Sequence, residues 1–397
     1  MRSLQPLARV YSPRANGIGF LRLALACAVF VAHCGPLGVG RSNIGDTWTR
    51  GQVEFGSAGV YGFFVLSGFL VTASARRTGV GRFLWHRALR IYPGLWACLL
   101  VTALVLGPLL YRHDHGTTAG YWNAPQGPLG YLVDNWGGGL RQFGLSGLFT
   151  GTPYGREVHA SVVDGSLWTL SSELCCYAAV AVLAFTGVLL RAPRLVLVLA
   201  AWAYLVLLGD FVAQAHDGIL RPGDATHPTF GPLPLLGVIS LTELVPLLLM
   251  FLLGASFQLY ADRVPMHPLL GCAAGAVVLA TAFLGGFMVV GLPVYAYLLL
   301  AVACYLPRVA HRVGRRHDYS YGVYIYAFPA QQVTAQFLGV RWHLAGFAAV
   351  ALALTAACAV LSWHVVEHPM LKLKDIQPFP VYGAERRTLA PVASGRS

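Results

Sequence analysis

Ten apolar runs, each close to the length that crosses a bilayer, dominate the sequence: residues 20–38, 56–75, 93–110, 166–188, 195–213, 233–258, 268–286, 288–306, 319–339 and 344–365. A spanning helix needs about 20 predominantly apolar residues. Lipid satisfies no backbone hydrogen bonds, so only helices and closed barrels can span it. The runs predict an all-α, polytopic integral membrane protein of about ten transmembrane helices, one domain over residues 1–374. Two runs are less regular: that from Leu233 is long and holds Glu243, and the pair 268–306 is divided at Gly285 and Gly286. Composition excludes a soluble domain, with 56% hydrophobic and 11% charged residues.

A net charge of +12 would suggest nucleic acid in a soluble protein. Here topology explains it, and no nucleic-acid partner is expected. Of the 28 Lys and Arg residues, seven (Arg41, Arg50, Arg112, Arg141, Arg156, Arg221 and Arg341) fall on one side of the expected spans and the rest on the other. The positive-inside rule then places both termini in the cytoplasm, in a multi-pass protein of the inner or plasma membrane. Acids such as Asp46, Glu54, Glu157, Asp217 and Asp224 populate the outer loops. The first run contains Arg22 and lacks a small-residue cleavage site, so it reads as a span and not as a cleaved signal.

The eight cysteines lie mostly inside apolar runs, without metal-ligand spacing to histidine and without a secreted disulfide pattern. They read as packing residues, and no metal is expected. One outer loop, about 111–165, is far longer than the others and rich in Gly, Trp, Tyr, Asn and Asp. A loop of that length either carries function or contains short helices. Its aromatic and polar residues suit a sugar or polyketide surface, and interfacial anchoring accounts for the tryptophans equally well. Residues 375–397 read as a polar, disordered tail.

The first run, Phe20 to Gly38, carries one cation, Arg22, and one imidazole, His33. On a helix, eleven residues complete about three turns plus roughly 20° and rise roughly 16 Å, so the two share a face at different depths. An ionisable group at depth is a functional candidate. Neutral imidazole can take a proton from a hydroxyl attacking a carbonyl, whereas the plain alternatives are a satisfied polar group and a snorkelling boundary arginine. The segment Arg82 to Pro93 (RFLWHRALRIYP) concentrates Arg82, His86, Arg87 and Arg90 where the chain enters the third span. Such a patch fixes topology, and guanidinium forks also match phosphate oxygens. A second basic run, Arg308 to Asp318, could close the same pocket. In Gly165 to Tyr177, Glu173 lies within an otherwise uncharged run, where it could orient His33, contact an acceptor or brace helices. Trp168 near the outer end reads as an acceptor contact or a belt residue. Gly59 and Gly68 in the second span read as close helix packing, and Ser67 as a polar lining residue. No GxSxG, HExxH or Walker motif is present.

Together these pieces resemble the acyltransferase family 3 membrane proteins, which O-acylate surface polysaccharides, peptidoglycan, lipids and macrolides. The resemblance runs from about Gly17 to Leu373. It rests on the arginine-ten-residues-histidine pair Arg22 and His33, FFVLSGFL (Phe63 to Leu70) and RIYP (Arg90 to Pro93). It rests also on LWTL-x-x-E (Leu167 to Glu173), SYGVYIYAFP (Ser320 to Pro329) and VEHP (Val366 to Pro369). Two departures stand out: many members carry aspartate where Tyr61 stands and histidine where Ala327 stands. The resemblance implies an acyl-CoA donor, most simply acetyl-CoA, bound from the cytoplasm by Arg22 with Arg87, Arg90 and Tyr92. His33 would be general base and Glu173 a second catalytic or bracing group, with Trp168 and Ser67 toward a carbohydrate, lipid or macrolide acceptor. Transfer could be direct or pass through an acyl-histidine, and a homodimer is left open. The rival from another class is a glycan or lipid transporter using Arg22, His33 and Glu173 as a relay; a third is an inactive scaffold.

Overall fold

The computed structural model describes residues 4–216, 228–233, 236–338 and 343–376. The expected disordered tail lies almost wholly outside them, as do Arg2, Asp217, Arg221, Asp224, Arg341, Arg386, Arg387 and Arg396, which entered the topology count.

The protein is mostly helical and a multi-pass membrane protein. Its principal helices are α1 (Ile18–Cys34), α2 (Phe55–Ala75), α3 (Val80–Val101), α4 (Trp168–Phe185), α5 (Arg194–His216) and α6 (Leu241–Leu259). They continue as α7 (Pro268–Leu284), α8 (Leu292–Tyr305), α9 (Ser320–Leu338) and α10 (Leu344–Ser362). Among the described residues, eight helices are long and apolar enough to cross a membrane. The other two expected spans correspond to α7, apolar but only 17 residues long, and to α9.

Helix α9 falls short of lipid hydropathy because it faces protein and not lipid. Every residue from Ser320 to Gln332 is buried. Its polar donors are met by its neighbours: Tyr321 Oη donates to the Ile91 carbonyl (2.8 Å), Gln331 Nε2 to Phe30 (2.8 Å) and Gln332 Nε2 to Val162 (2.6 Å). Buried polar groups paired in this way escape the desolvation cost that isolated ones carry. Pro329, inside the helix, frees the Ile325 carbonyl, which accepts from Cys98 Sγ at 3.5 Å.

The third span begins earlier than its hydropathy suggests. Helix α3 starts at Val80 and continues through a π-turn (Thr102–Leu106) to His115. The basic cluster Arg82 to Arg90 is therefore helical, and the long connecting segment starts at Gly116. That segment contains short helices, Pro128–Asn135 and Pro153–Val158, and Thr152 Oγ1 ties it to Gln332 on α9 at 3.1 Å. Two small antiparallel pairings complete the structure: β1 (Gln5–Pro6) with β4 (Pro265–Met266), and β2 (Thr229–Leu233) with β3 (Gly237–Ser240).

Helices α2 and α6 cross where each has a glycine. A Cβ on Gly68 would lie 1.9 Å from the Phe251 carbonyl oxygen, and one on Gly254 would lie 2.1 Å from that of Val65. Small residues at such crossings let backbones touch and let dispersion act at full strength. Gly68→Val should therefore separate the two helices and cost at least about 3 kcal/mol, read as loss of monodisperse protein in detergent. Gly209→Ala, into open space on α5, should behave as wild type in the same chromatogram.

Candidate active site

The site is built at the end of α1. Pro36 lacks an N–H and its ring opposes the carbonyl four residues earlier. That carbonyl, on Ala32, accepts instead from the Ile44 backbone at 3.5 Å. The chain widens into a π-turn, Gly35–Val39, and ends at Gly40 with φ +64°. Single π-turns within helices often mark functional positions. His33 stands in the last regular turn before it. Its Nδ1 is buried with no hydrogen-bond partner, and its ring meets Phe328 edge-on, centroids 5.4 Å apart. Phe328 is held in turn by Gly165, where a Cβ would lie 2.8 Å from the ring.

Four cavities follow one another through the protein, each sharing lining residues with the next. One, called outer because Arg141, Tyr154 and Glu157 of the long segment line it, measures about 1120 Å³ and is also lined by His33, Glu54, Trp168 and Glu243, with Arg41 among its charges. A middle cavity of about 230 Å³ shares His33, Glu54, Trp168 and Glu243 with it. The middle cavity meets an inner one of about 460 Å³ at Val60 and Tyr324. A fourth, of about 910 Å³, adjoins the inner cavity at Asp318 and Ser320.

Tyr324 is fixed at the divide. Its hydroxyl donates to the Ser166 carbonyl (2.8 Å) and pairs with the Thr169 hydroxyl (2.5 Å), while Phe63 packs edge-on at 5.8 Å. The Gly165–Leu167 turn that presents Ser166 is capped by Asp164, whose Oδ1 accepts from the Ser166 backbone (3.1 Å) and hydroxyl (2.7 Å). Its Oδ2 is buried and unpartnered, and burial pushes this carboxyl up to about 7 despite the Ser166 hydrogen bonds.

The inner cavity is organised by one carboxylate. Asp318 Oδ2 accepts from Arg22 Nη1 at 2.6 Å and from Arg90 Nη2 at 2.7 Å, while Oδ1 accepts the Ser320 hydroxyl at 2.5 Å. Burial alone would raise this carboxyl; Arg22 and Arg90 overcome it and hold Asp318 well below the usual carboxylate range. Arg90 also approaches Glu367 Oε2 at 3.7 Å, and Arg87 lies over the Tyr177 ring at 5.8 Å. Glu173 accepts from Ser67 Oγ (3.4 Å) and from the Tyr177 hydroxyl.

Residues 16–364 match the family model described as an acyltransferase domain. The chain belongs to acyltransferase family 3. Two curated relatives cover nearly its whole length. An O-acetyl transferase of Shigella phage Sf6 is 26% identical over 372 residues, 90% of this chain and 96% of the relative. Nodulation protein 10 of Rhizobium leguminosarum bv. viciae is 29% identical over 384 residues, 91% and 95% respectively. No solved structure matches.

In this acyltransferase the expected site residues fall into two groups. His33 and Trp168 share the outer and middle cavities; Arg22, Arg87, Arg90, Ser67 and Glu173 share the inner one. Glu173 does not join His33, because five residues on α4 turn it roughly 140° away from Trp168 and one and a half turns deeper. Ser67 likewise pairs with Glu173 and not with the Trp168 side. Tyr92 lines neither cavity: two residues beyond Arg90 it points to another face, its hydroxyl donating to the Gly137 carbonyl at 3.3 Å and its ring beside Trp96. At the two departures, Tyr61 lines the middle cavity and Ala327 is buried beside Phe328. Glu54, Tyr324 and Asp318 were not singled out from the sequence. Tyr324 lies inside the SYGVYIYAFP segment, and Asp318 carries an Asp-x-Ser helix start closing a basic run.

Two outcomes follow. Asp318→Asn leaves two half-buried cations under-neutralised and should cost about 1–3 kcal/mol in thermal stability. Because its native carboxyl is depressed, the wild-type contribution is present above the ordinary value of 3.8 and is lost only in stronger acid. Asp164 has the opposite sign. Its raised carboxyl keeps its proton while the unfolded chain ionises, so it lowers stability progressively from about pH 4 to about 7. Asp164→Asn preserves the cap, and its melting temperature should rise above that of wild type by a margin that grows between pH 4 and 7.

Proposed function

We propose that this acyltransferase moves an acetyl or short acyl group from acyl-CoA to a hydroxyl of a sugar-containing acceptor, in the cell membrane, with His33 as general base. The acceptor is a surface glycan, a glycolipid or a macrolide. The observation that carries the reading is the cavity series: His33 lines both cavities on one side of Tyr324, and Arg22, Arg87 and Arg90 line the cavity on the other. With the arginine-rich side in the cytoplasm, the donor enters through the inner cavity. Its phosphates meet guanidinium forks, and its thioester reaches the middle cavity past Val60 and Tyr324. The outer cavity, with Trp168, Tyr154 and both signs of charge, receives the acceptor.

In the direct reaction the acceptor hydroxyl attacks the thioester carbonyl as His33 takes its proton. The tetrahedral adduct collapses to the ester and expels the coenzyme thiolate, which recovers the proton from His33. Holding both reactants at one junction supplies the proximity that such a bimolecular step otherwise lacks. With Nδ1 buried, Nε2 is the nitrogen that does this work, and Phe328 sets the ring plane. Glu173, on the donor side, braces the inner cavity through Ser67 and Tyr177. The relative named an O-acetyl transferase supports acetyl as the group.

His33→Ala should lower acyl transfer by about 10²-fold or more in detergent-purified protein that chromatographs as wild type; full activity in that variant would remove the mechanism. Arg22→Lys keeps a charge for Asp318 but loses the fork, and should raise the donor KM about tenfold with the acceptor KM unchanged. Mass spectrometry of glycans, lipids and secreted metabolites from a deletion strain should show one lost acyl mass, identifying group and acceptor together.

A further inference from the structure

The fourth cavity carries a chemistry that the inner one does not. It is lined by Arg312, Arg315, Arg316, His317 and Tyr319, and it opens onto the inner cavity at Asp318 and Ser320. Arg312, Arg315 and Arg316 are exposed, and none of them has a carboxylate partner among the described residues. By contrast Arg22 and Arg90 are already held by Asp318.

The segment is anchored as well as charged. Gly314 takes φ +72°, with the Arg315 backbone returning to the Arg312 carbonyl at 3.5 Å. A glycine at the third place of such a turn brings its first and fourth residues, here two arginines, close together. The turn lies directly on α1: a Cβ on Gly19 would sit 2.3 Å from the Val313 carbonyl, and one on Gly314 would sit 2.8 Å from the Gly19 Cα. The backbone that carries the cations is thus fixed to α1 one helical turn from Arg22. Beside them, His317 and Tyr319 present nearly parallel rings, centroids 5.8 Å apart, with His364 5.4 Å from His317.

Size points the same way. Pockets of about 300–1,000 Å³ enclose one drug-sized ligand, and the inner cavity, at about 460 Å³, is at the small end of that range. Coenzyme A is longer than such a ligand: a slender pantetheine arm joined to a nucleotide bearing a 5′-diphosphate and a 3′-phosphate. We infer that the cavity over Arg312–Tyr319 is the seat of the donor's nucleotide, with Arg312, Arg315 and Arg316 on its phosphates and the His317–Tyr319 rings against its base. The inner cavity then holds the pantetheine arm, with the diphosphate at the junction between these arginines and Arg22, Arg87 and Arg90. This assignment rests on acyl-CoA being the donor.

The test uses full-length protein in dodecyl maltoside, with coenzyme A, 3′-dephospho-coenzyme A and acetyl-pantetheine as probes. Wild type should bind coenzyme A about tenfold or more tightly than its dephospho form, as expected for losing a charge-assisted contact. The Arg315→Gln/Arg316→Gln double variant should bind coenzyme A about tenfold or more weakly and lose that discrimination. Its turnover of acetyl-pantetheine, which lacks the nucleotide, should match wild type and so report an intact fold. A double variant that binds coenzyme A and discriminates like wild type overturns the assignment and leaves the donor reading standing. Wild type that binds no coenzyme A overturns both. If the 3′-phosphate makes no difference and added phosphatidylglycerol displaces coenzyme A through these arginines, the cavity is a lipid headgroup site and the assignment is wrong.

Discussion

Asp318 holds together the half of the protein that faces the basic side. It lies between the first helix, which supplies Arg22, the third, which supplies Arg90, and the ninth, which begins two residues later. None of these three partners is near the others in sequence, so one carboxylate closes contacts over more than two hundred residues of chain. Two guanidinium groups side by side would repel. With an anion between them they form a fixed positive cradle, its geometry set before any ligand arrives.

Beyond that cradle, the proposed reaction has two requirements that would interfere in one chamber. Phosphate recognition wants dense cations, whereas an imidazole acting as a base wants to remain neutral. Placing Arg22 and His33 three turns apart on one helix, with Tyr324 between their cavities, leaves the middle cavity beside His33 without Lys or Arg among its lining residues. The arrangement costs little in sequence, because a single helical period delivers both groups to the same face.

Hydropathy revealed the eight most lipid-like helices among the described residues, and the spacing of Arg22 and His33 put them at different depths of one helix, as α1 has them. What stayed hidden has physical causes. Helix α9 looks like a weak span because its glutamines and tyrosines bond to other helices and to the long segment, partners that are remote in sequence. Helix α3 starts early because its basic first turns project toward one surface and lower the local hydropathy without breaking the helix. The separation of Glu173 from His33 depends on helix rotation about α4, and the displacement of Tyr92 on that about α3; a list of motif residues carries neither angle. Glu54, one residue before its helix, looks like any loop acid until the cavity is seen.

The polarity of α9 also bears on how the chain is made. A segment that presents Tyr321, Gln331 and Gln332 gains little by entering bare lipid. It becomes comfortable only when Phe30, Ile91 and Val162 are there to receive its donors. All three lie earlier in the chain, so by the time Ser320 leaves the ribosome its sockets have already been synthesised. Biogenesis is thereby ordered: the helices that carry these sockets precede α9 in the chain, and α10, whose Ala359 meets Gly322, follows it and closes the other side.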